Sequence, residues 1–185
     1  MNLIKLTTPL SPEALTGLHA GDSVLISGTI YTARDAAHRQ MMKAIIAGEK
    51  LPFELQGAVI YYCGPAPAPP GWAIGAAGPT TSYRMDSFTP HLHELGLAAS
   101  IGKGDRTMAV REACRKYKSV YFVAVGGAGA LLAKHITASR VIAYDDLGPE
   151  AVHELQVSDF PVIVAYDVFG HSVFPSDKPL PDTPC

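Results

Sequence analysis

Arg34, Arg84 and Lys103 each follow an apolar run and precede a stretch of helical periodicity, in SGTIYTARDAAH, GPTTSYRMD and IGKGDR. A cation at the start of a helix is opposed by the positive end of the macrodipole, by about 0.3–1 kcal/mol at an exposed site. Three such placements ask for compensation. If the runs are neighbouring strands, loops leaving their C-terminal ends gather the three cations on one edge, beside helix amides that attract anions. The chemistry that fits is capture of a small polyanion. Arginine would supply a planar, two-point contact to an anionic group and lysine a point charge.

The residues between the cations narrow this further. Thr80, Thr81 and Ser82 form a hydroxyl cluster four to two residues before Arg84. One threonine after Pro79 suits an N-cap, worth about 1 kcal/mol. A second hydroxyl there has no helix-forming merit, which makes proton transfer or ligand contact a reasonable role. The plainer reading pairs Arg34 with Asp35, Arg84 with Asp86 and Lys103 with Asp105 as solvated surface ion pairs of small worth. Recurrence in one topological position weighs against it.

Positioning such an edge requires alternating strands and helices. Apolar, β-branched or aromatic runs predict strands at 23–26, 57–62, 97–101, 120–125, 141–144 and 162–166. Ala37, Met41, Ala44 and Ile45 recur at helical spacing, and further helical segments are predicted over 85–95, 107–117, 131–136 and 149–155. The result is an α/β class, a single compact domain with a buried sheet flanked by helices over residues 1–174. Residues 64–71, rich in proline, predict a stiff loop, and residues 175–185 an extended or disordered tail.

At 185 residues, 48% hydrophobic, 17% charged and with a net charge of -2, the chain can bury a core and lacks the basic excess of a nucleic-acid binder. No run is long and apolar enough to span a membrane, and no targeting segment is apparent, so a cytoplasmic location is expected. Cys63, Cys114 and Cys185 are widely spaced, as free thiols in a reducing compartment would be.

The three motifs, followed by YFVAVGGAGALLA, AYDDLGPEAV and FPVIVAYD, resemble the β subunit of two-subunit class I fumarate hydratases over about residues 20–174. The resemblance implies a swivelling β/β/α domain and a hydro-lyase active only with an α subunit. It implies that a [4Fe–4S] cluster is held by three cysteines of that partner, with its open iron as Lewis acid, and that this chain binds none. It maps carboxylate binding of a dicarboxylate substrate onto Arg34 and Arg84, a further anionic contact onto Lys103, and a catalytic base onto Thr80, with Thr81 behind it. A homodimer within a larger hetero-oligomer is the expected assembly. The β subunit of L-tartrate dehydratase shares the GPTTS-x-R-M and G-K-G pattern and is the alternative, as is a non-enzymatic swivelling-domain binding module.

VAVGGAGALLAKHI before VIAYDD resembles a dinucleotide fingerprint but places Leu132 where the third glycine belongs. His91 and His93, two apart, predict surface side chains on different helix faces rather than a metal pair. His38, one helical turn after Arg34, is either a contact supporting the site or a hydrogen-bonded structural histidine.

Overall fold

The computed structural model describes residues 3–124 and 127–175. Residue 125 of a predicted strand and residues 176–185 of the predicted tail lie outside the described residues.

Four strands run parallel side by side: β1 (Leu3–Thr7), β2 (Ser23–Thr32), β3 (Val59–Tyr61) and β4 (Ala99–Gly102), with β5 (Val120–Val123) parallel to β4. After β6 (Ile136–Ala143), β7 (Val152–Tyr166) runs antiparallel to β5, β6 and β2. Because β7 pairs with both β2 and β5, the five strands β2, β3, β4, β5 and β7 close into a barrel-like ring, flanked by β1 and β6. The chain is therefore a compact mixed α/β domain.

Alternation along β3 explains the two main cores. Val59 and Tyr61 pack with Val24, Ile26, Ile30, Ile101, Phe122, Phe160 and Val164 on one face, whereas Ile60 and Tyr62 pack with Met41, Met85 and Leu92 on the other. The second face is covered by α2 (Asp35–Ala47), which buries Ala37, His38, Met41 and Ala44 and ends on Gly48 in the left-handed conformation. Of three shorter helices, α3 (Thr89–Glu94) adds Leu92 to this face, α1 (Pro12–Thr16), capped by Ser11, packs Leu15 into the first core, and α4 (Met108–Tyr117) packs Val110 and Cys114 against Tyr121 and Tyr166. No helix among the described residues is long and apolar enough to cross a membrane.

Several predicted elements differ. Residues 149–155 form no α-helix: a 3₁₀ turn, Asp145–Glu150, ends there and β7 begins at Val152, which pairs with β6. The helix predicted over 131–136 is α5 (Gly129–Ala133), and Ile136 already belongs to β6. The helix predicted over 85–95 divides into a 3₁₀ turn, Ser82–Met85, and α3. β1 went unpredicted, since its LIKLT alternation is too short to separate from loop.

β5 and β6 are not neighbours, and β6 runs antiparallel to β7, so the glycine-rich segment between them builds no parallel βαβ unit for a dinucleotide. One of its glycines instead permits close packing. A Cβ on Gly129 would lie 2.9 Å from Gly78 N, directly before Pro79 and Thr80.

Candidate functional site

The register of the parallel strands carries the site. Thr32 pairs with Tyr61 and Tyr61 with Ile101, so β2, β3 and β4 end side by side. Arg34 follows the end of β2 and occupies the N-cap position of α2, without a side-chain capping bond. Lys103 follows β4. The chain leaving β3 makes a long excursion and returns to the same edge, where Thr80 N donates to Tyr62 O (2.6 Å), Thr81 bridges to Lys103, and Ser82 N donates to Lys103 O (3.1 Å).

Arg84 lies near the end of the 3₁₀ turn rather than at a helix start, so the macrodipole does not oppose it. Its Nη2 pairs with Asp35 Oδ2, the first residue of α2 and the neighbour of Arg34. These contacts bring Arg34, Thr80, Thr81, Arg84 and Lys103 to one edge of the sheet. Neither threonine serves as a side-chain cap: Thr81 is at the N-cap of the 3₁₀ turn with no such bond.

The surface pairs suggested by adjacency in sequence do not form. Arg34 Nε lies 3.2 Å from Glu150 Oε1, although neither atom makes a well-directed hydrogen bond. Asp86 instead meets Arg106, and Asp105 accepts from Tyr166 Oη and Arg106 N. The Lys103 side chain is exposed and makes no ion pair among the described residues.

His38 is fully buried. Its Nδ1 lies 2.8 Å from Arg34 O, which also accepts from His38 N (2.9 Å), and its ring packs against Tyr62 and Phe88. Burial, opposed by the Arg34 carbonyl, pushes its pKa down to about 4. At neutral pH the ring is uncharged, Nδ1 carries the proton, and the backbone of Arg34 is held from behind. Thus His38 is a hydrogen-bonded residue beneath the site and does not reach its surface. His93 is also buried, contrary to the expectation of a surface side chain, with Nδ1 2.8 Å from Leu97 O. His91 is half-exposed beside Glu94.

Arg106 is the residue that sequence reasoning missed. Its guanidinium is fully buried, pairs with Asp86, donates to Thr89 Oγ1 (2.7 Å) and lies over the rings of Tyr62 and Tyr121. Asp86 Oδ2 also accepts from Thr107 N (2.6 Å). This network ties the turn carrying Arg84 to the loop carrying Lys103. Ser82 adds a second tie, its buried Oγ accepting from Lys103 N (3.0 Å) and lying 2.9 Å from Tyr121 Oη.

Among the described residues, the cysteines are not placed to hold an iron–sulfur cluster. Cys63 and Cys114 are buried on different elements, and burial pushes each thiol up to about 12, the opposite of what a thiolate ligand needs. Among the described residues no group of three or more His, Cys, Asp or Glu could hold a metal ion. Cys185 lies outside them.

What the edge gathers is two guanidiniums and an ammonium beside two threonines, groups whose chemistry suits contact with an anion. The family model described as "Fumarase C-terminus" matches residues 1–177. The chain is 39% identical over 171 residues to the putative L(+)-tartrate dehydratase subunit beta of Methanocaldococcus jannaschii, covering 89% of this chain and 88% of that one. It is 37% identical over 164 residues to fumarate hydratase 2 of Leishmania major and 38% over 151 residues to an aerobic class I fumarate hydratase of Escherichia coli. Those matches cover 88% and 80% of this chain but only 29% and 28% of the fumarate hydratases, so the chain spans less than a third of their length.

Proposed function

This chain belongs to the Fumarase C-terminus family, and from that premise we propose that it is the β subunit of a two-subunit hydro-lyase that interconverts fumarate and malate. The observation that carries the reading is the convergence of Arg34, Arg84 and Lys103 at the ends of three adjacent parallel strands. A dicarboxylate laid across this edge meets a guanidinium at each end. Arg34 and Arg84 bind and orient the carboxylates through paired N–H donors, and Lys103 adds a point charge.

Removing the proton α to a carboxylate spreads negative charge onto that carboxylate. Fixed cations therefore stabilise the transition state more than the ground state. Thr80 takes this proton in the proposed scheme, with Thr81 beside it. A threonine hydroxyl is a weak base, so Thr80 must be ionised or backed by an acid–base group of the partner. The [4Fe–4S] cluster belongs to an α subunit, and the swivelling β/β/α architecture presents the cationic edge to that subunit. A cytoplasmic hetero-oligomer containing a homodimer of this chain completes the reading.

L-tartrate is the second reading, favoured by one observation: the relatives whose length this chain matches, at 88% coverage in both Methanocaldococcus jannaschii and Escherichia coli, are named as tartrate dehydratase β subunits. The test is to mix the purified chain anaerobically with its cluster-bearing partner and follow fumarate absorbance with malate as substrate and oxaloacetate formation with L-tartrate, with no substrate in parallel. Turnover of malate only by the mixture is expected. Turnover by this chain alone refutes the division of labour, and turnover of tartrate alone selects the second reading.

A further inference from the structure

The buried side-chain atoms that lack a hydrogen-bond partner are not scattered. Among the described residues they are Arg34 Nε, Asp35 Oδ1, His38 Nε2, His93 Nε2, Ser119 Oγ and Glu150 Oε1, and all but His93 and Ser119 belong to the cluster directly behind the cationic edge. Buried polar atoms are usually satisfied, so a concentration of exceptions marks a place where geometry serves something other than stability.

We infer that Asp35 and Glu150 are positioning residues, each holding one guanidinium by one side so that its other side faces the ligand. The proposal rests on the reading of the edge as a dicarboxylate receptor. A guanidinium can engage carboxylates along its Nε side and across its Nη end. Glu150 lies on the Nε side of Arg34, and the backbone of Gly64 lies against the same side chain, so closely that a Cβ there would come 2.8 Å from Arg34 Nη1 and 3.2 Å from its Cδ. The side chain is thus laid flat over Gly64, and the carboxylate fixes its rotation. Asp35 Oδ2 takes one Nη2 donor of Arg84, whose side chain is otherwise 42% exposed.

The two carboxylates come from different places. Asp35 opens α2, beside the N-terminal amides that favour an anion, and reaches across to the turn carrying Arg84. Glu150 ends the 3₁₀ turn before β7 and reaches back to Arg34. Each therefore fixes a cation that another segment supplies, which is what converts two flexible side chains into a receptor of set spacing. Both also offset cationic charge, leaving an edge whose affinity depends on the match of two carboxylates to two forks rather than on bulk charge.

The test uses the full chain first, without ligand. Nitrogen-15 relaxation of arginine Nε–H groups should find Arg34 and Arg84 rigid in the wild type. Glu150→Ala should make Arg34 as mobile as exposed Arg39, Asp35→Ala should do the same to Arg84, and the isosteric Glu150→Gln and Asp35→Asn, which keep an acceptor oxygen, should restore most of the order. In the complex with the cluster-bearing partner, each alanine variant should lower kcat/KM for the dicarboxylate at least tenfold and each amide by less than about threefold. An arginine that stays rigid in the alanine variants overturns the proposal, as does a mobile one that leaves kcat/KM unchanged. A complex that turns over no dicarboxylate sinks the proposed function instead, while the ligand-free relaxation comparison still decides whether the carboxylates hold the guanidiniums.

Discussion

Replacing Gly102 with alanine should damage the edge through one contact. Gly102 is not in the left-handed region, so its glycine is required for room and not for backbone conformation. A Cβ there would come 1.8 Å from Ser82 Oγ, 2.9 Å from Tyr62 Cδ2 and 3.1 Å from Ser82 Cβ, all in buried surroundings. Ser82 must therefore move, and with it goes the 3.0 Å bond from Lys103 N to its Oγ. Overpacking of this kind costs about 1–3 kcal/mol, and stranding a part-buried donor about 1 kcal/mol or more. The sum, about 2–4 kcal/mol, lowers Tm by roughly 5–15 °C in a chain of this size. Differential scanning calorimetry on the isolated chain measures it. Combining Gly102→Ala with Ser82→Ala removes the severest clash, so the two penalties should fall well short of additive. A Gly102→Ala chain melting within 1 °C of wild type, or penalties that add, would refute the packing argument.

Stability should also decline in acid. His38 and His93 fall from 6.5 in the unfolded chain to about 4 when folded, chiefly through burial. Unfolding then takes up as many as two protons between those values, so stability is complete above about pH 6.5 and falls towards pH 4, with a slope on the order of 1–3 kcal/mol per pH unit. Urea midpoints that are flat between pH 7 and 5 would contradict this. Asp86→Ala leaves the buried Arg106 charge unpaired and should cost about 3–5 kcal/mol in chemical denaturation; a loss below about 1 kcal/mol is incompatible with the Arg106–Asp86 network holding the two loops together. Arg84→Lys keeps charge but loses the fork, so turnover in the assembled enzyme should drop about 10- to 100-fold while Tm stays within about 2 °C. Unchanged turnover with a lowered Tm would make Arg84 a purely structural residue.

β3 and β4 could be read from sequence because burial on both faces leaves largely apolar runs at 57–62 and 97–101, and Lys103 stands just beyond the second. The start of β7 could not. Pro149, Glu150 and the apolar spacing after them imitate a helix N-terminus, and only pairing with β6 and β2, invisible in local sequence, overrides it. Long-range electrostatics were equally hidden. Asp35, Asp86 and Asp105 stand beside cations in sequence, yet their partners are Arg84, Arg106 and the Tyr166 hydroxyl, chosen by the crossovers. Arg106 does not stand out beside Asp105, because nothing local announces that it lies against two tyrosine rings.

The most direct measurement is a crystal structure of this chain with its partner subunit and bound malate. The account predicts the two carboxylates within about 3 Å of the guanidinium nitrogens of Arg34 and Arg84, with Lys103 on one of them. Malate held elsewhere, with both arginines still turned wholly to Glu150 and Asp35, would contradict it.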